Sequence, residues 1–157
     1  MLFRSKYCSK CGASRFHEVN GRDGQKTQTK VPMKILRYLP FIKRIKRLYM
    51  NKETATQMTW HKNGKRYPDE KGRIKMGHPS DGMAWEEFDK AYPQEAAEAQ
   101  NVRIAIATDG FNPYGMSTAS YSCWPVFVIP LNLPPGVLMQ RKTIFLSLII
   151  PGPEYPG

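Results

Sequence analysis

The sequence has few cysteines and no long hydrophobic run, and each shortage excludes a class of protein. Three cysteines among 157 residues are too few for the disulfide framework of a small secreted protein. The longest apolar run, 144–150, contains a serine and is far shorter than the roughly 20 residues that span a bilayer. The N-terminus passes directly into Arg4, Lys6 and Lys10, without the apolar segment of a signal peptide. We therefore expect an intracellular protein without a membrane partner.

Acidic residues are scarce in the first half of the chain, where the positive charge is concentrated. The sequence has 24 Lys and Arg against 13 Asp and Glu, a net charge of +11. Residues 1–75 carry 20 basic and 5 acidic side chains, whereas residues 76–157 carry 4 and 8. Clustered positive charge is typical of a surface that faces a polyanion, although a solubilising surface would have the same composition. We expect nucleic acid to be the partner of the basic half.

Helical signals dominate the chain between residues 21 and 100. Residues 20–31 are polar and rich in turn formers, which predicts a linker after a short cysteine-bearing segment over 1–20. Apolar periodicity, proline positions and capping residues then predict helices over 33–38, 40–50, 51–60 and 80–92, with a further helical turn opened by Pro93. In this interpretation Asn51 caps the third helix and Ser80–Asp81 cap the fourth.

Residues 101–157 have the pattern of β-strands. Residues 102–108 alternate with period two, and 124–131 and 143–150 are apolar and β-branched. Short connections between strands favour antiparallel neighbours over crossovers. The sequence therefore predicts an α+β protein, in which a basic helical region is followed by a three-stranded antiparallel meander.

Asp109, at the end of the first of these strands, is the sharpest candidate for chemistry. It shares a strand face with Ala105 and Ala107, whose small side chains leave room for a ligand to approach. A carboxylate fixed on a strand is a good ligand for Mg²⁺, which takes one or two protein carboxylates together with phosphate oxygens. An Asp–Gly pair after a strand is also a common turn, and spacing alone favours that simpler interpretation.

Cys8 and Cys11, followed by Gly12, have the spacing of one half of a structural zinc site. A closed site needs four ligands. Cys123 precedes a strand and is expected to be a buried small hydrophobe. None of the three histidines has a second metal-ligating residue at the spacing of a zinc site. They are His17, His61 and His78. From spacing alone, zinc binding stays open.

The helix expected over 40–50 is the candidate DNA-binding element. Its four cations are predicted to point away from an apolar stripe formed by Ile42, Ile45 and Tyr49, and they are Lys43, Arg44, Lys46 and Arg47. Such a face can follow a phosphate backbone, and it is equally typical of a solvated helix surface. The run 43–47 also has the composition of a nuclear import signal.

Several short stretches, in order along nearly the whole chain, carry a resemblance to one family. They include Cys-x-x-Cys-Gly-Ala-Ser-Arg at 8–15 and Thr-Asp-Gly-Phe-Asn-Pro at 108–113, and the others lie at 31–38, 57–61, 78–82, 101–103, 121–126 and 150–153. In these stretches the sequence resembles the transposases of plant CACTA-type (Enhancer/Suppressor-mutator) elements. One residue of the family pattern is missing after Gly115.

The resemblance implies a ribonuclease-H-like core whose acidic residues hold two Mg²⁺ or Mn²⁺ ions for DNA strand cleavage and transfer. Asp109 matches the first-strand aspartate of that core, which implies a catalytic, metal-binding role and reverses the simpler interpretation. The family's further acids lie after this sequence, and its additional zinc-binding cysteines lie before it. The resemblance thus implies a truncated zinc-binding segment over 1–20, a DNA-binding region over 21–100, and an incomplete catalytic core over 101–157.

We therefore expect a nuclear transposase fragment that binds DNA, which in the family means transposon ends, and does not cleave it alone. A homo-oligomer is one option for the full-length protein. Two alternatives stay open: a non-catalytic DNA-binding protein derived from a transposase, and a decayed gene fragment without function.

Overall fold

Strands lie on both sides of a mainly helical middle stretch in the structure, a computed structural model that describes residues 5–64, 66, 68–73, 75–115 and 121–153. The strands are β1 (Phe16–Asn20), β2 (Lys26–Pro32), β3 (Arg37–Tyr38), β4 (Ile104–Thr108), β5 (Trp124–Pro130) and β6 (Phe145–Ile150). The helices are α1 (Phe41–Met50), α2 (Lys52–Gln57), α3 (Trp60–Asn63), α4 (Met83–Ala91), α5 (Pro93–Ala97) and α6 (Pro135–Leu138), with a 3₁₀ turn at Pro79–Asp81. In the described ranges, no helix is long and apolar enough to cross a bilayer. The predicted α+β class is confirmed.

The stretch predicted as a linker over 20–31 is instead most of a β-hairpin. β1 and β2 pair antiparallel, and the turn closes where the Gly21 N–H donates to the Gln25 carbonyl at 2.8 Å. The linker prediction is wrong because polar residues can form a strand when they include threonines, whose branched side chains suit a pleated surface. The turn-rich residues before Gln25 are the loop of this hairpin.

The helix predicted over 33–38 is wrong as well. β3 pairs antiparallel with β6 through Arg37↔Ile149 and Tyr38↔Leu148, and the Leu39 N–H donates to the Ser147 carbonyl at 2.8 Å. The residue before a proline is disfavoured in the α conformation, and the free edge of β6 offers backbone partners that a six-residue helix lacks. The helical part of the region predicted over 21–100 therefore begins only at Phe41.

The antiparallel meander predicted from the C-terminal third is confirmed. β4, β5 and β6 are successive antiparallel neighbours, and β3 adds a fourth strand, giving the order β3-β6-β5-β4. β4 and β5 pair from Ile104↔Pro130 to Thr108↔Val126. A bulge between Val126 and Phe127 shifts the register between β5 and β6.

α1 packs on this sheet and contributes side chains to the apolar core. Its side chains Phe41, Ile45, Leu48 and Tyr49 belong to the core around Met58, Ile129, Leu133 and Leu138. Ile42, predicted on the apolar stripe, is 61% exposed. The helix was predicted over 40–50, and it begins at Phe41, whose side chain packs against the core in place of Ile42. The buried stripe therefore starts at Phe41.

Capping of the short helices differs from the prediction at one of two sites. Asn51 caps α2 as predicted, because its Oδ1 accepts from the Glu53 and Thr54 N–H groups at 2.9 and 3.3 Å. The predicted cap at Ser80–Asp81 is wrong. His78 caps the 3₁₀ turn through Nδ1, which accepts from the Ser80 N–H at 3.0 Å, and α4 begins only after Gly82.

Candidate functional site

Asp109 follows directly after β4, where its exposed side chain borders an open cavity. The carboxylate Oδ1 accepts from the Gly110 N–H at 2.8 Å. The cavity, about 340 Å³ in volume, is lined by Asp109 and by Ala107, Thr108, Gly110, Phe111, Pro125 and Phe127. The predicted position of Asp109 beside an alanine on an accessible face is therefore confirmed.

The cavity lies where the apolar core stops along β4. Ala105 and its partner Ile129 contact the core that includes α1, whereas the next pair on that face, Ala107 and Phe127, borders the cavity. Gly110 then lets the chain pass close to Trp124, because a Cβ at this position would lie 2.8 Å from the indole ring. A backbone pair between Phe111 and Cys123 fixes the segment that follows.

The donor atoms near Asp109 do not complete a metal site. A two-metal centre for strand cleavage needs several oxygen ligands. Within the part of the chain that the structure describes, no group of three or more His, Cys, Asp or Glu residues is arranged to hold a metal ion. Asp109 thus offers one carboxylate, and its assignment as a magnesium ligand stays a prediction.

Cys8 and Cys11 lie on a tight turn next to the β1–β2 hairpin. The Cys8 N–H donates to the Ala13 carbonyl at 2.8 Å, and Gly12 adopts a φ of +71°, which favours glycine. Hydrogen bonds from the backbone of Cys11 and Lys10 lower the pKa of the Cys8 thiol, and a lowered pKa favours the metal-binding thiolate. Two thiols do not fit a closed zinc site, so this assignment also stays a prediction.

The third thiol, Cys123, is buried as expected.

The four predicted DNA-binding cations of α1 do not all point the same way. Lys43, Lys46 and Arg47 are exposed, as predicted. Arg44 instead reaches towards β6, where its Nη1 donates to the Leu146 carbonyl at 2.5 Å and its guanidinium lies 5.9 Å from the Phe145 ring centre. The prediction that Arg44 points away from the apolar side is wrong, because residue 44 lies within one turn of the partly buried positions 41 and 48.

Two cations in the C-terminal half, Arg141 and Lys142, were missed by the sequence analysis. They lie in the connection between α6 and β6 and line a cleft together with Arg44 and Arg47. The C-terminal half has an excess of acidic residues, which hid this local cluster. The feature of the sequence that could have indicated this cluster is the adjacent Arg–Lys pair directly before an apolar strand.

Two stretches of the family resemblance, 57–61 and 78–82, pack against each other. The buried His78 ring lies 4.7 Å from Trp60 and 6.2 Å from Trp85. Since His78 Nδ1 accepts the capping hydrogen bond, its Nε2–H donates to the Leu133 carbonyl at 2.9 Å. Arg66 Nε pairs with Asp81 Oδ1 at 2.6 Å. These residues join the helical region to the segment that follows β5.

Burial sets the charge state of the two histidines in this cluster. It lowers the pKa of His61, and the nearby Arg103 guanidinium lowers this pKa further. Burial likewise lowers the pKa of His78, although the hydrogen bond to the Leu133 carbonyl acts in the opposite direction. Both shifts favour the neutral imidazole, which fits a structural role.

Arg103 positions the start of β4 and therefore the strand that carries Asp109. Its guanidinium lies 4.1 Å from the Trp85 ring centre and pairs with Asp89. Its backbone N–H donates to Oδ1 of the buried Asn132 at 2.9 Å. β4 is thus fastened at its beginning by α4 and by the segment after β5.

Comparison with known proteins assigns the family. The family model described as transposase family tnp2 matches residues 73–157, which is more than half of the chain. The matched part contains α4, the meander β4–β6 and Asp109. No curated protein and no solved structure matches the chain. The chain belongs to transposase family tnp2.

Proposed function

We propose that this chain supplies a DNA-binding surface and the first catalytic aspartate of a CACTA-type DNA transposase, and that it binds DNA alone without cleaving it. The observation that carries the proposal is the set of exposed cations on α1 in a chain that belongs to a transposase family. DNA is the substrate of transposition, and a surface that neutralises backbone phosphates gives sequence-independent affinity. The proposed site of action is the nucleus.

The exposed cations of α1 are suited to phosphate contacts because the described residues offer them no competing partner. Lys43, Lys46 and Arg47 form no ion pair with any carboxylate in the described ranges. The helix beneath them is fixed, since Ile45 is buried in the core. The backbone positions of these three cations are therefore already set before DNA binds, and this favours contact with a regular phosphate backbone.

Asp109 is proposed as a ligand of Mg²⁺ or Mn²⁺ in the complete active site of a ribonuclease-H-like transposase core. Its support is the strand-end position, the exposed carboxylate and the adjacent cavity. Further carboxylates are needed beside it, and this is why we propose that the chain alone does not cleave. Cys8 and Cys11 are likewise proposed as two of the four ligands of a structural zinc ion, and the remaining two ligands are needed beside them.

The DNA-binding part of the proposal is tested by salt-dependent binding of the chain to a short DNA duplex. We expect the logarithm of the affinity to fall linearly with the logarithm of the salt concentration. The combined variant Lys43→Gln, Lys46→Gln, Arg47→Gln should reduce the slope by up to about 3, roughly 0.9 for each lost phosphate contact. The matched control removes three exposed cations of the hairpin and is Arg22→Gln, Lys26→Gln, Lys30→Gln. Equal losses in both variants would contradict a specific role of α1.

The catalytic part is tested by incubating the purified chain with supercoiled DNA and Mg²⁺ or Mn²⁺. We expect no conversion to nicked circles. Metal-dependent nicking that Asp109→Asn abolishes would show that the chain cleaves by itself, against the proposal.

A further inference from the structure

A positively charged cleft lies between α1 and the connection that precedes β6. It measures about 450 Å³, and its cationic side chains are Arg44, Arg47, Arg141 and Lys142. Leu48, Ile144 and Phe145 contribute its apolar lining. None of the described residues that line the cleft carries a carboxylate. Among the described residues, none of these four cations forms an ion pair. Four cations without an internal counter-charge favour an anionic ligand.

The backbone that carries Arg141 and Lys142 is held in place by the next residue. Thr143 is 1% exposed, and its hydroxyl lies 2.8 Å from both the Val137 and the Gln140 carbonyl oxygens. The Thr143 N–H also donates to the Gln140 carbonyl at 2.9 Å. Arg141 and Lys142 are thus exposed on a connection whose ends are fixed, which presents two cations in a defined place.

The opposite wall of the cleft is equally fixed. Arg44 is held by its hydrogen bond to the Leu146 carbonyl, which uses only one of the five guanidinium N–H groups. Arg47 lies almost one turn further along α1 and is exposed. Planar guanidinium groups match the oxygens of a phosphate, and they bind them more strongly than neutral donors do.

We propose that this cleft binds a backbone phosphate of DNA, so that Arg141 and Lys142 continue the DNA-binding surface of α1 onto the strand-bearing part of the chain. The inference rests on the proposed function. A DNA backbone suits the site because the cleft is open to solvent and adjoins the exposed Lys43, four residues before Arg47 on the same helix. A polyanion can contact both the helix surface and the cleft at once, whereas a single phosphate ion fills only the cleft.

The test compares two double variants of the whole chain in the duplex-binding experiment. Arg141→Gln, Lys142→Gln should reduce the salt slope by about 0.9, because the cleft is proposed to bind one phosphate. Lys6→Gln, Lys10→Gln, which removes the same charge from the cysteine-bearing segment before β1, should leave the slope close to that of the original chain. Both pairs are exposed, and equal midpoints of thermal unfolding will verify that the fold is retained.

The possible outcomes separate the two proposals. If both double variants bind alike while the α1 triple variant is impaired, the cleft proposal is overturned and the proposed function stands. If the original chain does not bind duplex DNA, both proposals fail. A titration of the original chain with inorganic phosphate, followed by amide chemical shifts, is the remaining measurement. Amide shifts of Arg141 and Lys142 with phosphate, combined with an unchanged DNA slope in the double variant, would assign the cleft to a free anion and overturn its role in DNA binding.

Discussion

Two of the three Asp–Gly pairs in this chain have opposite environments. Asp81, followed by Gly82, has a side chain that is 3% exposed, an ion pair with Arg66 and a hydrogen bond from the His78 N–H at 2.9 Å. Asp109, followed by Gly110, is exposed, and its Oδ1 accepts from the next N–H in the chain. Both pairs lie in stretches that carry the family resemblance. The same two residue types therefore serve a closed cluster in one place and an open site in the other.

The comparison shows how a structural carboxylate differs from one that is available to a ligand. The charge of Asp81 is balanced inside the protein by Arg66, so binding a further cation would first break an existing ion pair. The charge of Asp109 faces solvent next to a cavity, so a cation can approach it without that cost. Exposure and internal partners thus distinguish two sites that are alike in sequence.

The largest expected effect comes from removing the two charges in turn. Asp81→Asn should lower the free energy of unfolding by about 3 kcal/mol, because it leaves the partly buried Arg66 without a counter-charge. Asp109→Asn is the matched control and should change it by less than about 0.5 kcal/mol. Urea unfolding followed by tryptophan fluorescence measures both, since Trp60 and Trp85 lie in the Asp81 cluster. Similar effects from the two substitutions would remove the distinction between the sites.

A smaller effect on the free energy of unfolding should come from lowering the pH, through the two histidines in the cluster around Asp81. Burial lowers the pKa of His61 and His78 in the folded chain, so the unfolded chain takes up these protons first as pH falls. Stability should therefore be fully present above about pH 6.5, the ordinary histidine value, and decrease as the pH falls below it.

Urea unfolding between pH 7.5 and 5 measures this loss of stability. His78→Gln should flatten the pH dependence, at the cost of a lower stability at pH 7.5. The exposed His17 provides the control, and His17→Gln should retain the dependence of the original chain. A dependence that is unchanged in His78→Gln and also in His61→Gln would show that neither imidazole is responsible.

Local sequence patterns predicted the meander and α1, because their signals lie within each element. β4, β5 and β6 fall inside the predicted ranges, and α1 begins one residue after its predicted start. β3 was missed because a two-residue strand exists only through its pairing with β6, more than 100 residues away. The Asn51 cap was predictable for the same local reason, since its partners are two and three residues further on.

The candidate sites also differ in whether a local sequence pattern could predict them. The place of Asp109 at a strand end followed from alternation along one strand. The cleft around Arg44, Arg47, Arg141 and Lys142 did not, because it joins residues about a hundred positions apart through the packing of α1 against β6. Helical periodicity alone also gave the wrong direction for the Arg44 side chain, because it does not show which edge of the helix packs against the neighbouring strand.

The smallest expected effect is weak metal binding at Asp109. A single exposed carboxylate binds divalent cations weakly, so we expect Mn²⁺ at millimolar concentration to broaden the amide signals of Gly110 and Phe111 without a measurable change in stability. Asp109→Asn should remove this local broadening, because the amide oxygen that replaces the carboxylate carries no charge. The amides around Asp81 should stay sharp in both forms, since its carboxylate is paired with Arg66. Broadening at Asp81 in place of Asp109 would mean that the closed cluster opens to solvent, and the assignment of the two roles would then have to be exchanged.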